Sequence, residues 1–129
     1  MNTPSPMPAV QQEDVAELFR EPGQGYLSPV RFSAVLELDL FELAKALGVH
    51  PNTMRLHPES ARTQERLRDY ICVYQALMNL TIDPGKAAFY MQNMPIAALG
   101  HRTLFQTVRQ GGAEDAVHYL LSISSGYVG

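Results

Sequence analysis

The sequence has a single cysteine, no surplus of positive charge and no long apolar run. Each shortage closes a class of function. Cys72 has no partner within the chain for a disulfide, and its place in a strongly apolar helical pattern predicts a buried structural thiol rather than a reactive one. Ten Lys and Arg against 13 Asp and Glu give a formal net charge of -3. That excludes a globally basic surface, so any contact with nucleic acid has to come from a local cluster. The apolar runs are too short and too interrupted to cross a bilayer. The opening MNTPSPMPAV offers neither the positive start nor the apolar stretch of a secretory signal. A cytoplasmic protein with no membrane partner is expected.

Catalytic motifs are scarce as well. His50, His57, His101 and His118 lack the paired spacing of a zinc site, so no metal is expected. Neither a Gly-rich dinucleotide fingerprint nor a Walker-type Gly-Lys-Ser/Thr is present, and no cofactor is expected. His101 and Ser122 have no third group to orient them and no nucleophile elbow around them. The expectation is a binding protein rather than an enzyme.

What remains is a chain of 129 residues, 46% hydrophobic and 18% charged, the size and composition of one globular core. Residues 1–10 read as a flexible leader, because Pro4, Pro6 and Pro8 block a regular helix. QQEDVAELFR then sets Val15, Leu18 and Phe19 at helical spacing, and EPGQGYLSP breaks the pattern. Ser28-Pro29 supplies a cap and first turn for a helix through Val30, Phe32, Val35 and Leu36. Asp39 begins the next, whose Leu40, Leu43, Ala44 and Leu47 share one side before Gly48 ends it. A short helix follows from Pro51. Ser60 caps the longest element, with Leu67, Tyr70, Ile71, Tyr74, Leu77 and Met78 at three- and four-residue steps and with Val73 and Leu80 widening the stripe. Asp83-Pro84 opens another helix through Ala87, Ala88 and Met91, flanked by Phe89-Tyr90, that stops near Asn93. Thr103 and Ala113 start two short helices separated by Gly111-Gly112. No segment alternates as a strand does. The predicted fold is all-α, with a helix-turn-helix-like region over 11–80 that includes the long central helix, and a C-terminal module over 81–129.

LFELAKALGVHPNTMRLH carries the logic of a helix-turn-helix. Ala44 sits where two helices cross, Gly48 makes the turn, and Val49 and Met54 point into the angle with Leu43 and Leu47. That leaves His50, Asn52, Thr53 and Arg55 on the face able to enter a groove, where Arg pairs with guanine and Asn with adenine. Lys45, Arg62, Arg66 and Arg68 are candidates for phosphate contacts. Glu59, Glu65 and Asp69 dilute the patch, His57 takes an inward position usually apolar, and Pro58 shortens the second helix. A helical corner with solvated arginines is the alternative.

Followed by the long apolar helix and by DPGKAAFYMQNMPIAALGHRTLFQTVRQGGAEDAVHYLLSISSGYVG, this pattern resembles the MbcA/ParS/Xre antitoxin family over about residues 30 to 129. The matching features are Tyr90-Met91, Asn93 with Pro95, Ala98-Leu99-Gly100, Arg102-Thr103 and Ser125-Gly126-Tyr127. Tyr90 stands where the family shows Trp, and Leu104 where Pro commonly follows the Thr. The resemblance implies an antitoxin of a type II toxin-antitoxin system that neutralises a RES-domain, NAD-consuming toxin. It implies toxin binding by the two C-terminal helices, with the chain end at the toxin's active site and promoter DNA as a second partner. Arg102, Arg109, His118, Tyr127, Val128 and Gly129 are the toxin-binding candidates; a homodimer and a hetero-oligomer with the toxin are the expected assemblies. Arg102 could equally contact the turn before it, and Leu104, Phe105, Val108, Val117, Leu120 and Leu121 could equally be core. A stand-alone helix-turn-helix regulator with a C-terminal dimerisation or ligand-binding module is the alternative function.

Overall fold

A computed structural model describes residues 16–81 and 83–126. Among them the fold is all-helical, with seven α-helices and no strand. In chain order these are α1 (Pro29–Leu36), α2 (Leu40–Leu47), α3 (Pro51–Leu56), α4 (Ala61–Met78), α5 (Pro84–Asn93), α6 (Leu104–Arg109) and α7 (Ala113–Gly126), with a 3-10 helix at Ala97–Leu99. The leader over 1–10 and the candidate helical residues up to Val15 lie outside the described residues.

The helices begin where side-chain oxygens can take up orphan amides. Ser28, Asp39, Ser60, Asp83 and Thr103 each accept a bond from a first-turn N–H, which satisfies donors that no helical carbonyl can reach. Thr103 and Gln106 form a reciprocal capping box on α6. Gly48 ends α2 at φ 71°, a left-handed conformation that favours glycine.

The long helix α4 is the centre of the packing and touches α2, α5, α6 and α7. Leu67, Tyr70, Ile71, Val73, Tyr74 and Leu77 are buried along it, and residues from both the N- and C-terminal parts of the chain join them in one core. The rings form a chain through that core. Phe19 meets Phe32 at 5.2 Å and Tyr74 at 5.7 Å, Phe32 lies 6.4 Å from Tyr70, and Tyr70 lies 4.9 Å from Phe105. Buried Gln64 fixes the N-terminal segment: its Oε1 accepts from Leu27 N–H at 2.8 Å, and its Nε2 donates to the carbonyls of Leu27 at 2.8 Å and Pro58 at 2.7 Å. A side chain thereby does for Leu27 what a neighbouring strand would do, leaving no orphan backbone group there.

Several positions depart from the pattern read from sequence. Leu18, Val30 and Leu80 are exposed; Leu80 follows the end of α4 and so cannot extend its stripe. Cys72 is exposed, not buried. It lies one residue beyond inward-facing Ile71, about 100° further round the helix, which carries it off the core face. The last helix, expected to be short, runs for 14 residues.

Tyr70 donates its hydroxyl to the Ala46 carbonyl at 3.0 Å. Burial pushes its phenol up to about 12; Asp69 adds to the rise, while Arg66 and Arg109 oppose it. The unfolded phenol ionises near 10, so this contribution to stability is complete below about pH 10 and is lost as pH rises toward about 12. A change of that size corresponds to roughly 3 kcal/mol. Urea midpoints measured between about pH 8 and about pH 11.5 should fall steeply at the alkaline end. Tyr70→Phe should flatten that fall while costing about 1 kcal/mol near neutrality through the lost hydrogen bond. An unchanged alkaline slope in the variant would show that this phenol does not drive the loss.

Candidate functional site

Two surfaces carry the candidate residues. The first is the corner made by α2, the turn Gly48-Val49-His50 and α3. Leu43, Ala44, Leu47 and Met54 are buried inside it and Val49 is half-buried, so the inward positions expected for a helical corner are filled. His50 is the N-cap of α3, its Nδ1 accepting from Asn52 N–H at 3.1 Å. Asn52 Oδ1 in turn accepts from Arg55 Nη2 at 2.8 Å. Thr53 is exposed beside them. Arg62 lies over the turn, with its Nη2 3.6 Å from where a Cβ on Gly48 would stand. The fold thus brings all five candidates to one exposed corner, with two of them, Asn52 and Arg55, bonded to each other.

The electrostatics of this corner are mixed. Lys45, Arg55 and Arg62 share the segment with Glu37, Asp39, Glu42, Glu59 and Glu65. Leu56, one turn beyond Asn52 on the same helical face, is 65% exposed. His57 does not point inward. It follows the last residue of α3, is exposed, and lies 3.4 Å from Glu59.

Arg66, a candidate for phosphate, is occupied elsewhere. Its Nη1 bonds Asp69 at 3.3 Å, and its Nη2 reaches the carbonyls of Val108 at 3.2 Å and Arg109 at 3.4 Å. Those are the last carbonyls of α6, which have no partner within the helix. Arg66 is therefore a cap for α6, 42 residues away in sequence.

The second surface is the α6–α7 module. Gly111-Gly112 turns the chain between the two helices, and the contact is tight. A Cβ at Gly112 would stand 2.9 Å from Thr107 Cγ2 and 3.1 Å from the Thr107 carbonyl oxygen, so only glycine allows this approach. Leu104, Val108 and Leu120 are buried, whereas Phe105 and Val117 are half-buried. Leu121, considered as core, is 55% exposed.

Clefts flank α7 on both sides. One, of about 520 Å³, runs along the contact between α7 and α4 and is lined in part by Cys72, Ala76, Val117 and Leu121. The other, of about 530 Å³, lies between α7 and the loop carrying Gly100 and Arg102. His118 lines both. Arg102 folds over the 3-10 turn, its guanidinium carbon 3.7 Å from where a Cβ on Gly100 would stand. Arg109 is exposed. None of Arg102, Arg109 and His118 forms an ion pair among the described residues. Tyr127, Val128 and Gly129 lie outside the described residues.

Chemically, these surfaces offer contact area and hydrogen-bond donors. Ser122 donates to the Tyr119 carbonyl at 2.7 Å, and His101 is not among the residues lining the cleft that holds Ser122. Partial burial, reinforced by Asp69 and opposed by Arg68, holds the Cys72 thiol above its ordinary range, which disfavours the nucleophilic thiolate. Burial and then its neighbour Tyr119 push the Tyr90 phenol up. No group of three His, Cys, Asp or Glu among the described residues could hold a metal ion. No helix of the described residues is long and apolar enough to cross a membrane.

The cleft between α4 and α7 was not anticipated from sequence. Its signal is Ala113, Val117 and Leu121 at four-residue steps, a pattern that equally describes a core face until α7 is placed. Comparison of the chain with protein-family models, with curated proteins and with solved structures gives no match.

Arg66→Ala should lower unfolding free energy by about 1–3 kcal/mol, because the α6 carbonyls and Asp69 lose a charged donor together. Arg68→Ala, two residues along and exposed, should stay within about 0.5 kcal/mol of the parent. Urea titrations of the two variants side by side make the comparison. Equal stabilities would remove Arg66 from the scaffold.

Proposed function

We propose that the chain is an antitoxin of a type II toxin-antitoxin system, which binds a RES-domain, NAD-consuming toxin and occludes its active site. The observation that carries this reading is the α6–α7 module. Arg102 and His118 line clefts beside α7, Arg109 stands exposed at the end of α6, and none is consumed in an ion pair among the described residues. Exposed arginine and histidine beside one mostly apolar and one mixed cleft are the composition of a binding surface. The resemblance over residues 30 to 129 supplies the partner's identity. On this reading the protein is not an enzyme, works in the cytoplasm, and forms a homodimer and a hetero-oligomer with the toxin.

In the proposed mechanism α6 and α7 hold the toxin's surface while Tyr127, Val128 and Gly129 block its substrate entrance. The test separates holding from blocking. Coexpression with the product of the adjacent reading frame, followed by co-purification and an NAD-loss assay, should give an inhibited complex. Deleting residues 125–129 should leave co-purification intact and release NAD consumption. Full inhibition by the truncated chain would sink the tail mechanism, and loss of co-purification would move the affinity into the tail.

Transcriptional autoregulation is a second activity of the same reading, favoured by the exposed polar side chains His50, Asn52, Thr53 and Arg55 at α3. His50, Asn52, Thr53 and Arg55 would face bases and Arg62 a phosphate, with the Asn52–Arg55 bond exchanged for bonds to DNA. Arg55→Ala should weaken binding to the protein's own promoter by about 1–3 kcal/mol, roughly tenfold or more in a mobility-shift titration. A complex that retards no promoter fragment at low salt would leave α3 without this role.

A further inference from the structure

We propose that the cleft between α4 and α7 is a docking groove for an amphipathic helix with a basic flank, presented by a protein partner. The proposal rests on the reading above only in assigning that helix to the toxin. Two rails define the groove. On α7, Ala113, Val117 and Leu121 recur at four-residue steps and line it; on α4, Cys72 and Ala76 face them. Ala113 to Leu121 spans about 12 Å of helix axis, enough to seat roughly eight residues of a third helix, or about two turns. Ala76 and Ala113 are small, so another helix can approach closely between the rails. Leu121, at 55% exposure, offers its apolar side chain to whatever lies there.

The rim selects the charge. Asp69 lines the α4 side and Glu114 the α7 side. Asp69 holds Arg66 at 3.3 Å through Oδ2, whereas Glu114 forms no ion pair among the described residues. His118 is the one lining side chain that can carry positive charge, and it does so only when protonated. A mostly apolar floor with Glu114 on the α7 rim, the Asp69 rim being already matched by Arg66, complements a helix with apolar anchors at i, i+3 or i+4 and i+7 and with Lys or Arg on the side that meets Glu114. A second copy of this chain would bring the same acidic rim. The chain's own residues 1–15 bring Glu13 and Asp14 but no Lys or Arg. Both complement the groove less well than a basic helix does.

The experiment uses the full chain and a fluorescent synthetic peptide of about 18 residues, leucine and lysine in helical register, with a matched peptide in which glutamate replaces every lysine. Anisotropy should report saturable binding of the lysine peptide, with the glutamate peptide at least about tenfold weaker. Leu121→Lys should weaken binding by about tenfold, and Glu114→Lys by about fivefold, more at low salt than at high. Both positions are exposed; Leu121→Lys should keep its melting temperature, and Glu114→Lys should lose only the small share that an acid in the first turn of α7 supplies, both variants staying folded at the assay temperature. Binding by both variants within about twofold of the parent, or equal affinity for the two peptides, would overturn the groove. A tenfold tighter interaction after removing residues 1–15 would name that segment as the occupant, and a homodimer broken by Leu121→Lys would name a second copy; either result overturns the proposal. Because the probe is synthetic, failure here is read in anisotropy, while failure of the antitoxin reading is read in NAD loss.

Discussion

Short helices pose a hydrogen-bonding problem, and in this fold Tyr70 is the centre of its solution. A helix of six or eight residues leaves the last four carbonyls without intrahelical partners, and α1, α2, α3 and α6 are all of that length. Tyr70 donates to Ala46 in the last turn of α2 while its ring packs against Phe32 of α1 and Phe105 of α6. Gln92 of α5 donates to Leu36 at the end of α1. Arg66 of α4 donates to the last two carbonyls of α6. Three short helices are thus completed at their C-terminal ends by side chains from longer ones, which makes each short helix dependent on its tertiary neighbour.

This dependence also sorts the polar groups by availability. Arg66 and Gln64 are spent on backbone, and His50 turns a ring nitrogen to the start of α3. Arg102, Arg109 and His118 form no ion pair among the described residues. The contrast separates side chains that assemble the scaffold from those exposed to solvent. The α2–α3 corner is intermediate, with Arg55 bonded to Asn52 in a pairing that solvent or a ligand could exchange without disturbing the core.

The beginnings of helices were legible in the sequence because caps are local. Ser28, Asp39, Ser60, Asp83 and Thr103 stand within three residues of the amides they serve, and Gly48 ends its helix through its own backbone freedom. The stripe from Leu67 to Leu77 was legible from period alone. What escaped was decided at long range. Arg66 reads as a solvated cation until α6 is brought beside it, and Cys72 reads as core because apolar neighbours surround it in sequence, whereas in space it stands exposed at the edge of a cleft. Leu121 reads as core from its spacing, yet it is 55% exposed in the described fold. Of the candidate surfaces, the sequence located the corner and the module, whereas the cleft between α4 and α7 exists only once those two helices pack.

The contact of Gly112 with Thr107 has a thermodynamic side. With a methyl group's width denied at that turn, α6 and α7 meet as a close-fitting elbow. Arg66 clamps the end of α6 nearest the bend to α4. A surface held this stiffly has few alternative shapes to give up when another molecule closes on it, so less of the contact energy is lost to ordering. The same stiffness works against adaptability. Any partner of such a surface would have to match its curvature as it stands, and selectivity would then arise from shape set before contact.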